Sequence, residues 1–166
     1  MKKRILTVAS AFLFLTITAF GFDKAQPSAK EVAIEGKYQK ITVGANIKLV
    51  LIAANQKTVA VTGDQGRLQD ITVKMSNNEM VITSKRSVKP GSVVVYVPAT
   101  DLTYIDLKRG ASVSNEGDLK FTDLTVFVNI DSRMELRIIR DIKVKQADDC
   151  DIVYERKETA KVVYVK

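Results

Sequence analysis

From about Glu31 onward the chain alternates apolar and polar residues with a period of two, the pattern of strands with one buried face. Ile71, Val73 and Met75 alternate with Thr72, Lys74 and Ser76; Leu124, Val126, Val128 and Ile130 do the same, and Met134, Leu136 and Ile138 continue it. Ile47, Leu49 and Leu51 also alternate, while Val50 and Ile52 put apolar groups on the second face. Val93 to Val97 is a continuous apolar run, which predicts a strand covered on both faces. Turn formers separate these runs: Gly63-Asp64-Gln65-Gly66, Asn77-Asn78, Pro90-Gly91, Pro98, Asn115-Glu116-Gly117-Asp118 and Ala147-Asp148-Asp149. No segment of this part has a helical period with caps, and Gly66 to Asp70 has room for a single turn. The pattern predicts an all-β fold.

An imperfect repeat runs through the second half. Leu102-Thr103-Tyr104-Ile105 leads into Gly110-Ala111-Ser112-Val113, and Leu124-Thr125-Val126 into Ile130-Asp131-Ser132. Ile142-Lys143-Val144 then leads into Ala147-Asp148-Asp149-Cys150. The unit starts lie 22 and 18 residues apart, and each unit reads as two short strands around a tight corner. Such a unit cannot bury its apolar row alone, but stacked units share one core, as in a β-solenoid. An antiparallel β-sandwich of hairpins gives the same periodicity, so the pattern by itself leaves both architectures open.

The N-terminus differs from the rest. Lys2, Lys3 and Arg4 precede an uncharged apolar run from Ile5 to Phe20, and Ala19-Phe20-Gly21 offers small residues to a signal peptidase. We expect residues 1–21 to be a signal peptide, 22–30 a flexible tether and 31–166 one all-β domain, exported to the periplasm or the cell surface. Removing three cations with the signal lowers the formal charge from +7 to +4, which is no nucleic-acid footprint. Nothing after the signal is long and apolar enough to predict a spanning helix.

A single cysteine, Cys150, has no intramolecular partner and is expected to be buried. The chain holds no histidine, which excludes Ser-His-Asp and Cys-His catalysis and ordinary catalytic zinc sites.

The run Tyr38-Gln39-Lys40-Ile41-Thr42-Val43-Gly44, continuing through Ile47, Leu49 and Leu51, resembles the opening of the bacterial head GIN domain family, also described as putative autotransporter adhesin domains. The resemblance extends through Val59-Ala60-Val61-Thr62-Gly63-Asp64, Leu68 to Val73, Met80 to Ile82, Val93 to Pro98 and Leu102 to Val113. It implies an exported protein built as a short right-handed β-helix-like stack, with no catalytic residues attached. The later units depart from the family's Gly-Ala-Ser corner, because Ile130-Asp131-Ser132 and Asp148-Asp149-Cys150 stand in its place. Ile130 is unsuited to the positive φ that glycine supplies there, so that corner is built differently or the alignment shifts by one residue.

Three groups of side chains are candidates for chemistry. Asp148, Asp149 and Asp151 invite a calcium reading, but they lack the spacing of a calcium loop, and a solvated acidic corner explains them as well. Arg133, Arg137 and Arg140 with Asp131 and Asp141 have the residue types of a polysaccharide lyase; arginine and lysine on alternate strand positions also read as solubilising charge. Tyr96, Tyr104 and Phe127 fall out of phase with their inward neighbours and would form a carbohydrate-stacking row, or pack under a crossing segment. No cofactor is expected. The sequence therefore predicts a non-catalytic envelope or surface module that binds a glycan polymer or an envelope protein. A lyase-like enzyme and a ligand-free structural module are its alternatives.

Overall fold

Successive strand side chains leave opposite faces of a sheet, so each period-two run can bury one face. The computed structural model describes residues 28–99, 101–119, 121, 123–138, 142–146, 149–156 and 162–165. Its first seven strands are β1 (Ser28–Ala33), β2 (Lys40–Val43), β3 (Lys48–Ile52), β4 (Thr58–Gly63), β5 (Ile71–Ser76), β6 (Glu79–Ser84) and β7 (Val93–Pro98). They are followed by β8 (Tyr104–Leu107), β9 (Ser112–Glu116), β10 (Leu124–Val128), β11 (Arg133–Ile138), β12 (Ile142–Gln146), β13 (Asp151–Arg156) and β14 (Val162–Val165). One turn of helix, α1 (Gln65–Leu68), falls where the sequence has room for one. The predicted signal peptide lies outside the described residues. Ser28, Ala29 and Lys30, expected in the tether, are paired within β1.

The strands form two mixed sheets of seven, neither closed into a barrel. The first has the order β1-β4-β7-β3-β9-β11-β13, the second β14-β12-β10-β8-β2-β6-β5. From β8 onward consecutive strands alternate between the sheets, and each pairs in parallel with the strand two further along. Parallel neighbours need a crossover, and here the intervening strand of the other sheet supplies it. Antiparallel pairing among the described strands joins β1 to β4, β4 to β7 and β5 to β6. Of these only β5 and β6 are consecutive, and β2 and β3 pair in parallel with later strands, so a sandwich of hairpins is not the architecture.

The core is a set of inward rows running across the strands. In the second sheet Met80, Ile41, Ile105, Val126 and Val144 lie in register on β6, β2, β8, β10 and β12. In the first, Val61, Val95, Leu49, Val113 and Met134 lie in register on β4, β7, β3, β9 and β11. All ten are buried and belong to one hydrophobic cluster. Each fully buried side chain of this size contributes about 1.5–3 kcal/mol relative to exposure. At the early end Leu68 of α1, Ile71 and Val88 join the same cluster. The continuous run on β7 is covered less completely than expected, since Val94 and Tyr96 on its outer side are half-exposed.

The corners between sheets are stacked four-residue turns. Ile47 N–H donates to Gly44 O, Ala111 N–H to Lys108 O and Ser132 N–H to Asn129 O. The third residue of each turn is left-handed: Asn46 at φ 60°, Gly110 at 69° and Asp131 at 58°. The sequence alignment at this corner is thus off by one, because Asp131 takes the Gly110 position and Ile130 the place of Arg109. Asn and Asp tolerate this region, where a β-branched residue does not. Asn46 N–H donates to Arg109 O and Gly110 N–H to Ile130 O, so the backbone ladder continues round the bend. The repeat has the same kind of correction. Leu124 pairs with Ile142 as aligned, but Thr125 pairs with Tyr104, which puts Thr103 rather than Leu102 opposite Leu124.

Candidate functional site

Alternation that buries Ile41, Ile105 and Val126 must turn their neighbours outward, and these neighbours build the outer face of the second sheet. One outward row runs Ser76, Glu79, Lys40, Tyr104, Thr125 and Lys143 across β5, β6, β2, β8, β10 and β12. The next runs Lys74, Val81, Thr42, Asp106, Phe127 and Lys145. Tyr104 and Phe127 are half-buried and stand on adjacent strands, two positions apart along the register. That diagonal spacing keeps aromatic side chains within reach of each other.

The charges of this face are mostly arranged in pairs. Lys40 Nζ lies 3.3 Å from Glu79 Oε1 and 5.4 Å from the centre of the Tyr104 ring, a cation–π contact. Thr42 Oγ1 donates to Glu79 Oε1 at 2.6 Å, and this bond, reinforced by Lys40, lowers the Glu79 pKa despite some desolvation. Lys108 Nζ donates to Asp106 Oδ2 at 2.8 Å, and Lys143 sits 3.2 Å from Asp123. Lys74 and Lys145 have no carboxylate within ion-pair distance among the described residues. The face as a whole is therefore weakly cationic, around two half-buried rings.

Tyr96 is not part of it. It sits on β7, on the outer side of the first sheet, in register with Val50 and Ala60. The three aromatics proposed from sequence fall on two sheets, and the structure brings together only Tyr104 and Phe127.

The remaining sequence candidates are less organised. Asp131, Asp149 and Asp151 line a concavity of about 380 Å³ with Ser132, Arg133 and Cys150. Asp131 is held by Arg109 Nε at 3.0 Å. Asp148 lies outside the described residues, among which no three metal-ligating side chains are placed around one ion position. Cys150 is half-buried against the edge of the core rather than fully enclosed. Arg133 and Arg137 are exposed on β11, with Arg133 3.6 Å from Glu135 between them. Arg140 and Asp141 lie outside the described residues.

One feature has no motif in the sequence. Where β2 and β8 begin, beside the Asn77-Asn78 turn, Lys37, Gln39, Asn78, Asp101 and Thr103 line a groove of about 370 Å³. Buried Leu102 and Phe121 form its apolar part. Its walls come from separate segments, around residues 37–39, 78, 101–103 and 121, so periodicity does not reveal it; only the Asn77-Asn78 turn carries a local signal.

The sequence profile described as "Putative auto-transporter adhesin, head GIN domain" matches residues 37–156. The chain belongs to the head GIN domain family. Among solved structures this head GIN domain is similar to a putative adhesin from Bacteroides fragilis, with 12% identity, 85% of this chain and 98% of that one covered, and a TM-score of 0.51. Two others are a putative lipid binding protein from Parabacteroides distasonis (10% identity, 78% and 61% covered, TM-score 0.49) and a putative adhesin from Parabacteroides merdae (10%, 86% and 98%, 0.47). Identities this low bear on the fold alone. No curated protein matches the chain.

Proposed function

We propose that this head GIN domain is a non-catalytic, adhesin-like binding module that works outside the cytoplasm and holds an extended anionic glycan against the outer face of its second sheet. The observation that carries this reading is the placement of Tyr104 and Phe127 diagonally on adjacent strands of one outward face, with Lys40 beside Tyr104, Lys145 beside Phe127 and Lys143 next to Thr125. Aromatic faces stack on the apolar faces of sugar rings, and lysines meet carboxylates. A broad, open sheet surface suits a polymer better than a small molecule, which would need an enclosing cavity. We read the alternating parallel strands β8 to β14 as a short β-solenoid, whose regular rows match a repeating ligand. Export rests on the predicted signal peptide and on the adhesin description of the family.

The test is an affinity measurement on the mature domain with polygalacturonate and with a neutral glucan. Polygalacturonate is expected to bind, more weakly as salt rises. Tyr104→Ala is expected to weaken binding about tenfold, equivalent to ~1.4 kcal/mol. Absence of binding to either polymer, or unchanged affinity in both Tyr104→Ala and Phe127→Ala, would refute the assignment of this face. Protease treatment of intact cells separates surface display from the periplasm, since only a surface protein is cut before the envelope is breached.

A further inference from the structure

We infer that the groove at the start of β2 and β8 is a saccharide subsite that takes one uronate ring, with Lys37 meeting its carboxylate and Gln39, Asn78 and Asp101 its hydroxyls. This rests on the glycan-binding reading of the adjoining face and adds the place where a ring is recognised.

Four observations support it. The volume, about 370 Å³, is in the lower range of small-ligand sites and so fits a sugar unit rather than a folded partner. The lining is dominated by amide, carboxylate, ammonium and hydroxyl groups over a floor where Leu102 and Phe121 are nearly wholly buried, matching the polar rim of a sugar ring. Along the neighbouring sheet Glu79, Asp106 and Asp123 are each engaged by a lysine. In the groove the side chains of Lys37, Gln39, Asn78 and Asp101 make no hydrogen bond or ion pair among the described residues, and their donors and acceptors face a shared space.

The walls are also held firmly. Gln39 N–H and Lys40 N–H both donate to Asn78 O, at 2.9 and 3.2 Å, and Thr103 N–H and Tyr104 N–H both donate to Gln39 O, at 2.8 and 3.0 Å. The backbone under the groove is thus fixed, and binding has to order only the side chains that reach the ligand. Position supplies the last argument. Gln39 immediately precedes Lys40, and Thr103 immediately precedes Tyr104, so the groove opens at the margin of the outward row that carries the ring and its cation. A glycan lying on the sheet reaches the groove without leaving the surface. Lys37 and Asp101 also line a smaller depression of about 120 Å³ that adds Lys57, a second cation for an acidic chain.

The experiment is an NMR titration of the mature domain with tri-galacturonate and with its fully methyl-esterified counterpart, followed by affinities of Lys37→Ala, Gln39→Ala and Asp101→Ala. The expected result is shifts at the Gln39 and Asn78 side-chain amides, about fivefold weaker binding in each variant, and unchanged thermal midpoints. The ester is expected to bind more weakly than the acid, a difference that Lys37→Ala removes. Shifts confined to Tyr104 and Phe127, with the groove variants at full affinity, would overturn the subsite while leaving the face. Shifts in the groove with normal binding by Tyr104→Ala would keep the subsite and overturn the face. No shift at either place would overturn both.

Discussion

Replacing Gly110 by alanine tests the stacked corner, and the structure sets both the size of the effect and its origin. Gly110 has φ 69°, and a Cβ there would lie 2.2 Å from Asn46 Oδ1 of the preceding turn. Two costs follow. Holding an L-residue in the left-handed region costs about 1–2 kcal/mol. Moving the Asn46 amide aside costs roughly 0.5–1.5 kcal/mol of rotamer strain, because the obstructing atom ends a side chain and is not backbone. The sum is about 1.5–3.5 kcal/mol, or a fall of several degrees in Tm for a domain of this size. Urea unfolding of four proteins separates the costs: wild type, Gly110→Ala, Asn46→Gly and the double variant. Asn46 is itself left-handed at φ 60°, so glycine fits its backbone and removes the obstructing amide. In that background Gly110→Ala is expected to cost only about 1–2 kcal/mol, leaving a coupling near 1 kcal/mol. Equal costs in both backgrounds would refute the contact between turns. A total under about 0.5 kcal/mol would refute the left-handed corner itself.

Three further predictions concern the core, an edge contact and alkaline stability. Ile105→Ala removes a fully buried side chain flanked in register by Ile41 and Val126, and is expected to cost about 2–5 kcal/mol by denaturant titration; a loss under 1 kcal/mol would contradict the stacked row. Asn115 stands in for backbone, since its Oδ1 accepts from Arg137 N–H at 2.7 Å and its Nδ2 donates to Arg137 O at 3.3 Å and Gly117 O at 2.7 Å. Asn115→Ala should therefore cost about 1–2 kcal/mol and speed hydrogen exchange at the Arg137 amide, and unchanged exchange would count against the bridge. Burial pushes the Tyr38 pKa from 10 up to about 12, and its hydroxyl donates to Pro98 O. The folded state holds this proton more tightly than the unfolded chain, so the stability it adds is complete below pH 10 and disappears as pH rises from 10 towards 12. In an absorbance titration a component near pH 12 should be present and should be lost in Tyr38→Phe, which should also flatten the stability loss across that window; absence of that component would contradict its burial.

The proposed ligand and the architecture are connected through alternation. A sheet that commits every second residue to the core leaves the others free to vary, and parallel stacking aligns those free positions into rows that cross the strands. Tyr104 and Phe127 share one outward face for this reason, in adjacent rows that end at Lys143 and Lys145 of β12. The arginines of β11 follow the same rule on the other sheet, where they alternate with buried Met134 and Leu136 and remain exposed. Their spacing along one strand, with Glu135 between them, keeps Arg133 and Arg137 apart, while Arg133 shares the Asp131 concavity.

Strand class, most inward positions and the repeated strand–corner–strand unit are legible in the sequence, although Ile130, in phase with Leu124, Val126 and Val128, is exposed at a corner. Those features are local: the pleat converts a period of two directly into buried and exposed faces, and glycine, asparagine or aspartate marks the places where the chain can bend with positive φ. The order of the family's apolar spacings was also legible, because it is written in the same inward residues. Tertiary structure alone decided the sheet to which each strand belongs. Periodicity within a strand carries no information about its neighbours, so Tyr96 looked equivalent to Tyr104 until the pairing placed them on different sheets. Register was decided the same way, by hydrogen bonds between units of unequal length, which moved Asp131 into the corner position that the alignment had given to Ile130. The groove was the least legible feature, because Lys37, Asn78 and Asp101 share no spacing in the chain and meet only when separate turns stack.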